Sequence, residues 1–337
     1  MERWLTFFKC SECGGSLHLS EVKERAADQH IMEGTLACVS CAATYPIKVG
    51  IPRFVKAPES RAVVETVQAF GVQWAKANQL VQTTGFSSPD LFLDFVAPVD
   101  EVFIRGKSVL DGGYGQGRFT LAAQRLGASL VVGVDLSDAV EQAFANTRHL
   151  DNVLIVQGDL MALPFAPTFD YAFSVGVLHH TADPRAGFAQ LVSAVRHGGH
   201  VSAWVYGREG NDWVVNILNP IRQRITSRLP SAVLWWIALV LAVPLFLAIR
   251  LVYQPVERPE RLSFLRRRLF YFDYLVWLGK YCGYLQQALV IHDHLTPSIA
   301  EYIPHGEFAD WFKEQGLQDV IITSRANNSW RGFARKP

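Results

Sequence analysis

No charge of either sign dominates this chain. Thirty-two lysines and arginines stand against 31 aspartates and glutamates, a formal net charge of +1. No global field therefore draws it toward a polyanion, and nucleic acid is not an expected partner. The amino-terminal stretch MERWLTFFKCSEC lacks both a long apolar run and a small-residue cleavage site, so no export signal is expected. Cysteine is scarce, five in 337 residues, and an odd count argues against a disulfide framework. A reducing, cytoplasmic setting is the expectation. Apolar residues are plentiful, 50% of the total, enough for a sizeable core in one large domain or two.

Four of the five cysteines fall into two CxxC pairs, Cys10 and Cys13 in CSEC, Cys38 and Cys41 in CVSC. Two such knuckles close a tetrahedral zinc site with thiolates about 2.3 Å from the ion, and four thiolates leave no open position for catalysis. A structural Zn2+ is the expectation, with a ribbon that keeps its cysteines without metal as the alternative. Cys282 stands alone and reads as an ordinary buried thiol.

Residues 109 to 117 read VLDGGYGQG. Glycine costs backbone entropy, so a cluster marks a tight bend or a place where a ligand nears the main chain. Val109 and Leu110 read as the end of a buried strand, and RFTLAAQRL has helical spacing. A dinucleotide fingerprint on Gly113 and Gly115 would want its third glycine where Arg118 stands. The register that fits is Asp111, Gly113, Gly115, Gly117. Further strands are expected at 129–137 ending on Asp135, at 152–160 ending on Asp159, at 169–180 and at 197–207. Helices follow at SDAVEQAFANTR, with Ser137 as N-cap, and from Pro184 to Arg196. EFADWFKEQGL reads as a terminal helix, with DVIITSR and SWRGFARKP as an antiparallel hairpin. The expected class is α/β: a doubly wound, Rossmann-like sheet of seven strands, preceded by a zinc ribbon and interrupted by a helical apolar insert.

On these residues the chain, from about 106 to 206 and from 306 to the end, resembles class I S-adenosylmethionine (SAM) methyltransferases of the ubiquinone-methyltransferase-like, type 11 group. The resemblance implies that Gly113, Gly115 and Gly117 pass beneath the methionine part of SAM, with Asp111 orienting its amine. Asp135 and Leu136 would hold the ribose, Asp159 and Leu160 would read the adenine, and Gly176 lies in the loop after the fourth strand. Phe70 and Trp74, in FGVQW, resemble a segment that packs over the cofactor. One departure is that GYG stands where the family commonly has GCG, which puts Tyr114 beside the pocket. GTLACVSCAATYPIKVGIPRF resembles the small zinc-ribbon proteins that activate certain methyltransferases. The implied division is a ribbon at 1–56, a helical connection at 57–105, the methyltransferase domain at 106–206 and 306–337, and a substrate-side insert at 207–305.

Candidate bases cluster in two places: His179 and His180 in GVLHHTADP, and His292, Asp293 and His294 in VIHDHLTP. A base is needed only if the acceptor loses a proton as it is methylated. For His179 a loop anchor, and for Asp293 a turn or cap, are equally open readings.

The insert holds SAVLWWIALVLAVPLFLAI, 231 to 249, without a charge and just long enough for a hydrocarbon core of about 30 Å. The terminal strands must rejoin the sheet, which argues against a single crossing. The open readings are peripheral membrane contact through 231–253 at the inner face, a re-entrant hairpin, a buried lid, or a homo-oligomer interface. An apolar cap favours a small, hydrophobic or lipid-linked acceptor methylated on oxygen, nitrogen or carbon. The alternatives are a SAM-binding or partner-recruiting module without catalysis, and a tRNA or protein methyltransferase.

Overall fold

The fold was read from a computed structural model, which describes residues 2–55, 88–297 and 299–337. Strands β1 (Leu17–Arg25), β2 (Ile31–Cys38), β3 (Thr44–Lys48) and β4 (Ile51–Phe54) form an antiparallel ribbon. Strands β5 (Ser108–Gly112), β6 (Leu130–Asp135), β7 (Val153–Gly158), β8 (Phe169–Val175) and β9 (Val195–Tyr206) are the parallel strands read from the sequence. β5, β6 and β7 are buried nearly throughout, as near-continuous Val, Leu and Ile runs require when both faces of a sheet are covered, and β8 is buried with an aromatic pattern, whereas β9 begins exposed at Arg196 to Gly198.

The two sheets are one. β4 pairs in parallel with β7, Arg53 opposite Gln157 and Phe54 opposite Gly158, giving the order β1-β2-β3-β4-β7-β6-β5-β8-β9-β11-β10. The ribbon thus covers an edge that would otherwise expose unpaired backbone groups. β10 (Gln318–Arg325) and β11 (Ser329–Arg335) close the other side, β11 antiparallel to both β9 and β10. This confirms the doubly wound α/β class with its terminal hairpin.

Helix α1 (Pro89–Val96) starts where Ser88 accepts a hydrogen bond from the Leu91 N–H, with Pro89 in the first turn. Helices α2 (Arg118–Arg125) and α3 (Ala139–Thr147) follow β5 and β6, and α4 (Pro184–Ala194) is capped by Asp183. The N-cap of α3 is Asp138 rather than the expected Ser137, and its side chain makes no capping bond; the Ser137 hydroxyl instead donates to Asp135 Oδ1 at 2.6 Å and accepts weakly from Ala139 N–H at 3.4 Å. The insert is helical. Its main elements are α5 (Ser231–Ala248), which runs on through a π-type turn to Glu257, α6 (Phe272–Tyr281) and α7 (Tyr284–Leu295). The apolar run at 271–291 is broken at Cys282 and Gly283, where α7 begins anew against α5. Helix α8 (His305–Glu314) packs Phe308, Trp311 and Phe312 into the core.

Candidate active site

Crossovers of an open parallel sheet leave a crevice at the carboxyl ends of the strands, where the strand order reverses. Here β5 is flanked by β6 and β8, and a cavity of about 1580 Å3 opens at that point. This exceeds the roughly 300–1,000 Å3 typical of sites for one small ligand.

The cofactor end is built by the glycine loop. Gly113, Gly115 and Gly117 have φ of 84°, 56° and 84°, a region that costs other residues about 1–2 kcal/mol. A Cβ on Gly113 would lie 2.4 Å from the Val177 side chain. Asp135 Oδ2 accepts from the Gly115 N–H at 2.8 Å and Oδ1 from the Ser137 N–H at 2.9 Å, so this acid ties the loop to β6. Burial raises its pKa against those bonds. Asp159 Oδ1 accepts from the Met161 N–H at 2.8 Å. Gly113, Gly115, Asp135, Leu136, Asp159, Leu160 and Gly176 all line the cavity.

Asp111 and Gly117 do not line it. Asp111 is 2% exposed beneath the loop and accepts from the Thr120 hydroxyl at 2.7 Å, bracing β5 against α2. Tyr114 is buried, its ring against Gly133 and packed with Ile51, Val140 and Phe144, so the extra bulk goes largely into the join between ribbon and sheet. Phe70 and Trp74 lie outside the described residues.

The other end of the cavity is polar and aromatic. His180, Tyr206, Asp293, His294 and Tyr302 line it. The Tyr206 hydroxyl donates to Asp293 Oδ2 at 3.2 Å. The His180 ring nitrogen Nδ1 lies 2.7 Å from the Ile299 carbonyl; a carbonyl only accepts, so Nδ1 carries the proton and Nε2 is the basic nitrogen. Burial lowers the His180 pKa to about 4, leaving a neutral imidazole at pH 7. His179 is fully buried, its ring tilted against that of Tyr206 with centroids 3.9 Å apart, and accepts from the Tyr206 N–H at 3.4 Å. His292 lies between helices beside Ser231, Thr296 and Trp235. Neither lines the cavity.

Three wall residues were not singled out in the sequence. Tyr206 ends β9, and the strand-end rule that selected the acids would have found it. Arg118 opens α2 directly after the loop and lines the cavity; burial lowers its pKa to about 10, while Asp293 raises it. Tyr302 carries no signal, because only the fold of the insert brings it to Tyr206, with ring centroids 5.4 Å apart. Apolar wall is supplied by Leu241, Leu245 and Ala248 of α5 and by Phe54 and Val55 at the end of the ribbon.

The sulfurs of Cys10, Cys13, Cys38 and Cys41 all lie within 4.8 Å of one another. Cys10–Cys41 is 3.7 Å and Cys13–Cys38 is 3.5 Å, against about 3.8 Å expected for thiolates around a tetrahedral zinc. The backbone N–H groups of Glu12 and Ser40 donate to Cys10 and Cys38 sulfur at 3.4 and 3.3 Å. The donor set and its spacing fit a closed structural zinc.

The methyltransferase domain family matches residues 110–203. A tRNA U34 carboxymethyltransferase of Pseudoalteromonas translucida is 35% identical over 112 residues, 32% of this chain and 35% of that protein. One from Psychromonas ingrahamii is 30% identical over 149 residues, 42% and 44% of the two chains. The chain thus spans less than half the length of these curated relatives. Among solved structures, a SAM-dependent methyltransferase from Mesorhizobium loti is 31% identical over 33% of this chain and 50% of that one, with a TM-score of 0.30. The names of the curated relatives overturn one expectation, that nucleic acid is no partner. Net charge misled there, since a balanced total says nothing of where charges lie.

Proposed function

We propose that this chain, whose residues 110–203 match the methyltransferase domain family, binds SAM on the loop 113–117 and transfers its methyl group to an acceptor seated against Tyr206 and Asp293. The single observation that carries this reading is the continuity of one cavity from Gly113, Asp135 and Asp159 to Tyr206, Asp293 and His180. SAM would supply an electrophilic methyl on a sulfonium. The paired oxygens of Asp135 suit two ribose hydroxyls. Arg118, with the start of α2, offers positive charge to the methionine carboxylate. Much of the rate of such a displacement comes from holding donor and acceptor in line. The aromatic walls at Tyr206, Tyr302 and Trp204 restrict how an acceptor can lie. Where the acceptor carries a proton, Asp293 or His180 Nε2 is placed to take it, and Tyr206 orients Asp293 through its hydrogen bond.

The apolar walls supplied by the insert favour a small hydrophobic or lipid-linked acceptor. A second reading, methyl or related group transfer to a tRNA nucleoside, rests on the names of the curated relatives. We further propose that the four cysteines hold a structural Zn2+.

Methyl-labelled SAM incubated with the full chain and, separately, total lipid extract and total tRNA tests both acceptor readings. Label in the organic phase is expected; label in tRNA would establish the second reading, and absence of SAM binding by calorimetry would overturn both. Asp293→Asn should lower kcat about 100-fold or more if it takes the proton, with SAM affinity unchanged. An unaltered kcat would remove Asp293 from the mechanism.

A further inference from the structure

Helix α5 is apolar on both faces, yet its own chain covers one of them. Leu234, Ala238, Ala242, Ile249 and Tyr253 are buried, a stripe at helical spacing packed toward α7 and the cavity. On the opposite side Val233, Trp236, Val240, Val243, Leu247 and Leu251 form a second stripe, with Trp236 69%, Val240 68% and Leu251 71% exposed. A soluble surface helix carries its charges there; this one carries only Arg250 before Glu257 at its end.

The sequence around the stripe is strongly basic. From 222 to 268 there are nine arginines and two glutamates, without lysine or aspartate. Seven of the nine are exposed: Arg224 and Arg228 before the helix, Arg250 on it, and Arg258, Arg261, Arg267 and Arg268 after it. With a total of +1 for the chain, this excess is local and flanks the bare helix on both sides in sequence.

Three occupants are conceivable for such a face, and two are disfavoured. Spanning a bilayer would separate β9 from β10 and β11, which lie in one sheet, and among the described residues no second helix is long and apolar enough to return the chain. A second copy would set two arginine-rich rims face to face, which like charges oppose. A bilayer bearing anionic lipid meets both features, because acyl chains take the apolar stripe and headgroups take the arginines.

We infer that the outer face of α5 seats this protein on an anionic lipid surface, with the helix lying in the plane of the interface. Exposed Trp236 stands where an indole spans the headgroup boundary. Because Leu241, Leu245 and Ala248 of the same helix line the cavity, the seated face is one helix thickness from the acceptor site. The seating itself is independent of which acceptor the site takes.

The test is cosedimentation of the full chain with vesicles of phosphatidylcholine alone and of equal parts phosphatidylcholine and phosphatidylglycerol. Binding to the mixed vesicles should exceed that to neutral ones about tenfold or more and weaken with salt. The combined change Trp236→Ser, Val240→Ser and Leu251→Ser should abolish binding while leaving melting temperature and SAM affinity unchanged. Arg267→Glu with Arg268→Glu should remove the preference for the mixed vesicles. A full chain that stays in solution with both vesicle types overturns the inference. So does a dimer, seen by sedimentation velocity, that the triple serine change converts to monomer without any vesicle binding.

Discussion

Burial lifts the Asp111 carboxyl to about 7, opposed by the Thr120 hydroxyl from which it accepts. In the unfolded chain the same group titrates near pH 4. An acid raised on folding contributes stability that is full below about pH 4 and lost as pH rises through 7. Asp111→Asn keeps an oxygen for Thr120 and removes the charge, so its melting temperature should match or exceed the native one at pH 8. Between pH 5 and 8 the native protein should lose more stability than the variant; parallel calorimetric profiles would show that Asp111 ionises normally. Its neighbour in the expected SAM site, Asp135, is also raised by burial, but two backbone N–H groups and a serine hydroxyl serve its charged form. The three strand-end acids looked alike in sequence. Side-chain partners separate them, leaving Asp135 and Asp159 on the cavity wall and Asp111 beneath it.

Among the elements, the ribbon is the one whose role changes most on folding. β4 extends the central sheet beside β7, and Arg53 secures the join, donating to Gln157 Oε1 at 2.6 Å and Glu141 Oε1 at 2.9 Å. Phe54 and Val55 carry that strand to the cavity wall. Cys38→Ser should therefore act at a distance. The purified native chain should hold about one zinc by mass spectrometry, and the variant less. Because structural zinc contributes folding free energy directly, the variant should melt several degrees lower and bind SAM more weakly. A variant without zinc but with native SAM affinity would show that the ribbon does not support the site. The four cysteines were legible from spacing alone. The pairing of β4 with β7 was not, because two paired positions in a four-residue strand leave no periodic signature.

For the whole molecule, one continuous sheet, of 11 strands among the described residues, predicts one cooperative unit. With metal bound, ribbon and methyltransferase sheet should melt in a single calorimetric transition, the calorimetric and van't Hoff enthalpies agreeing. Two resolved transitions would mean that the β4–β7 join is weak. By itself the sequence determined the order of strands and helices from β5 onward, the glycine loop, the two CxxC pairs and the helical nature of the insert. These follow from local properties: periodicity, backbone permissiveness at glycine, and short ligand spacings. Only the tertiary structure decided which groups share the cavity. It set His180, Asp293 and His294 in the wall and His179 and His292 behind it, and brought Tyr206 to Asp293 across 87 residues. It also decided that one face of α5 is covered and the other is bare, since an evenly apolar helix holds no record of which side its own chain will take.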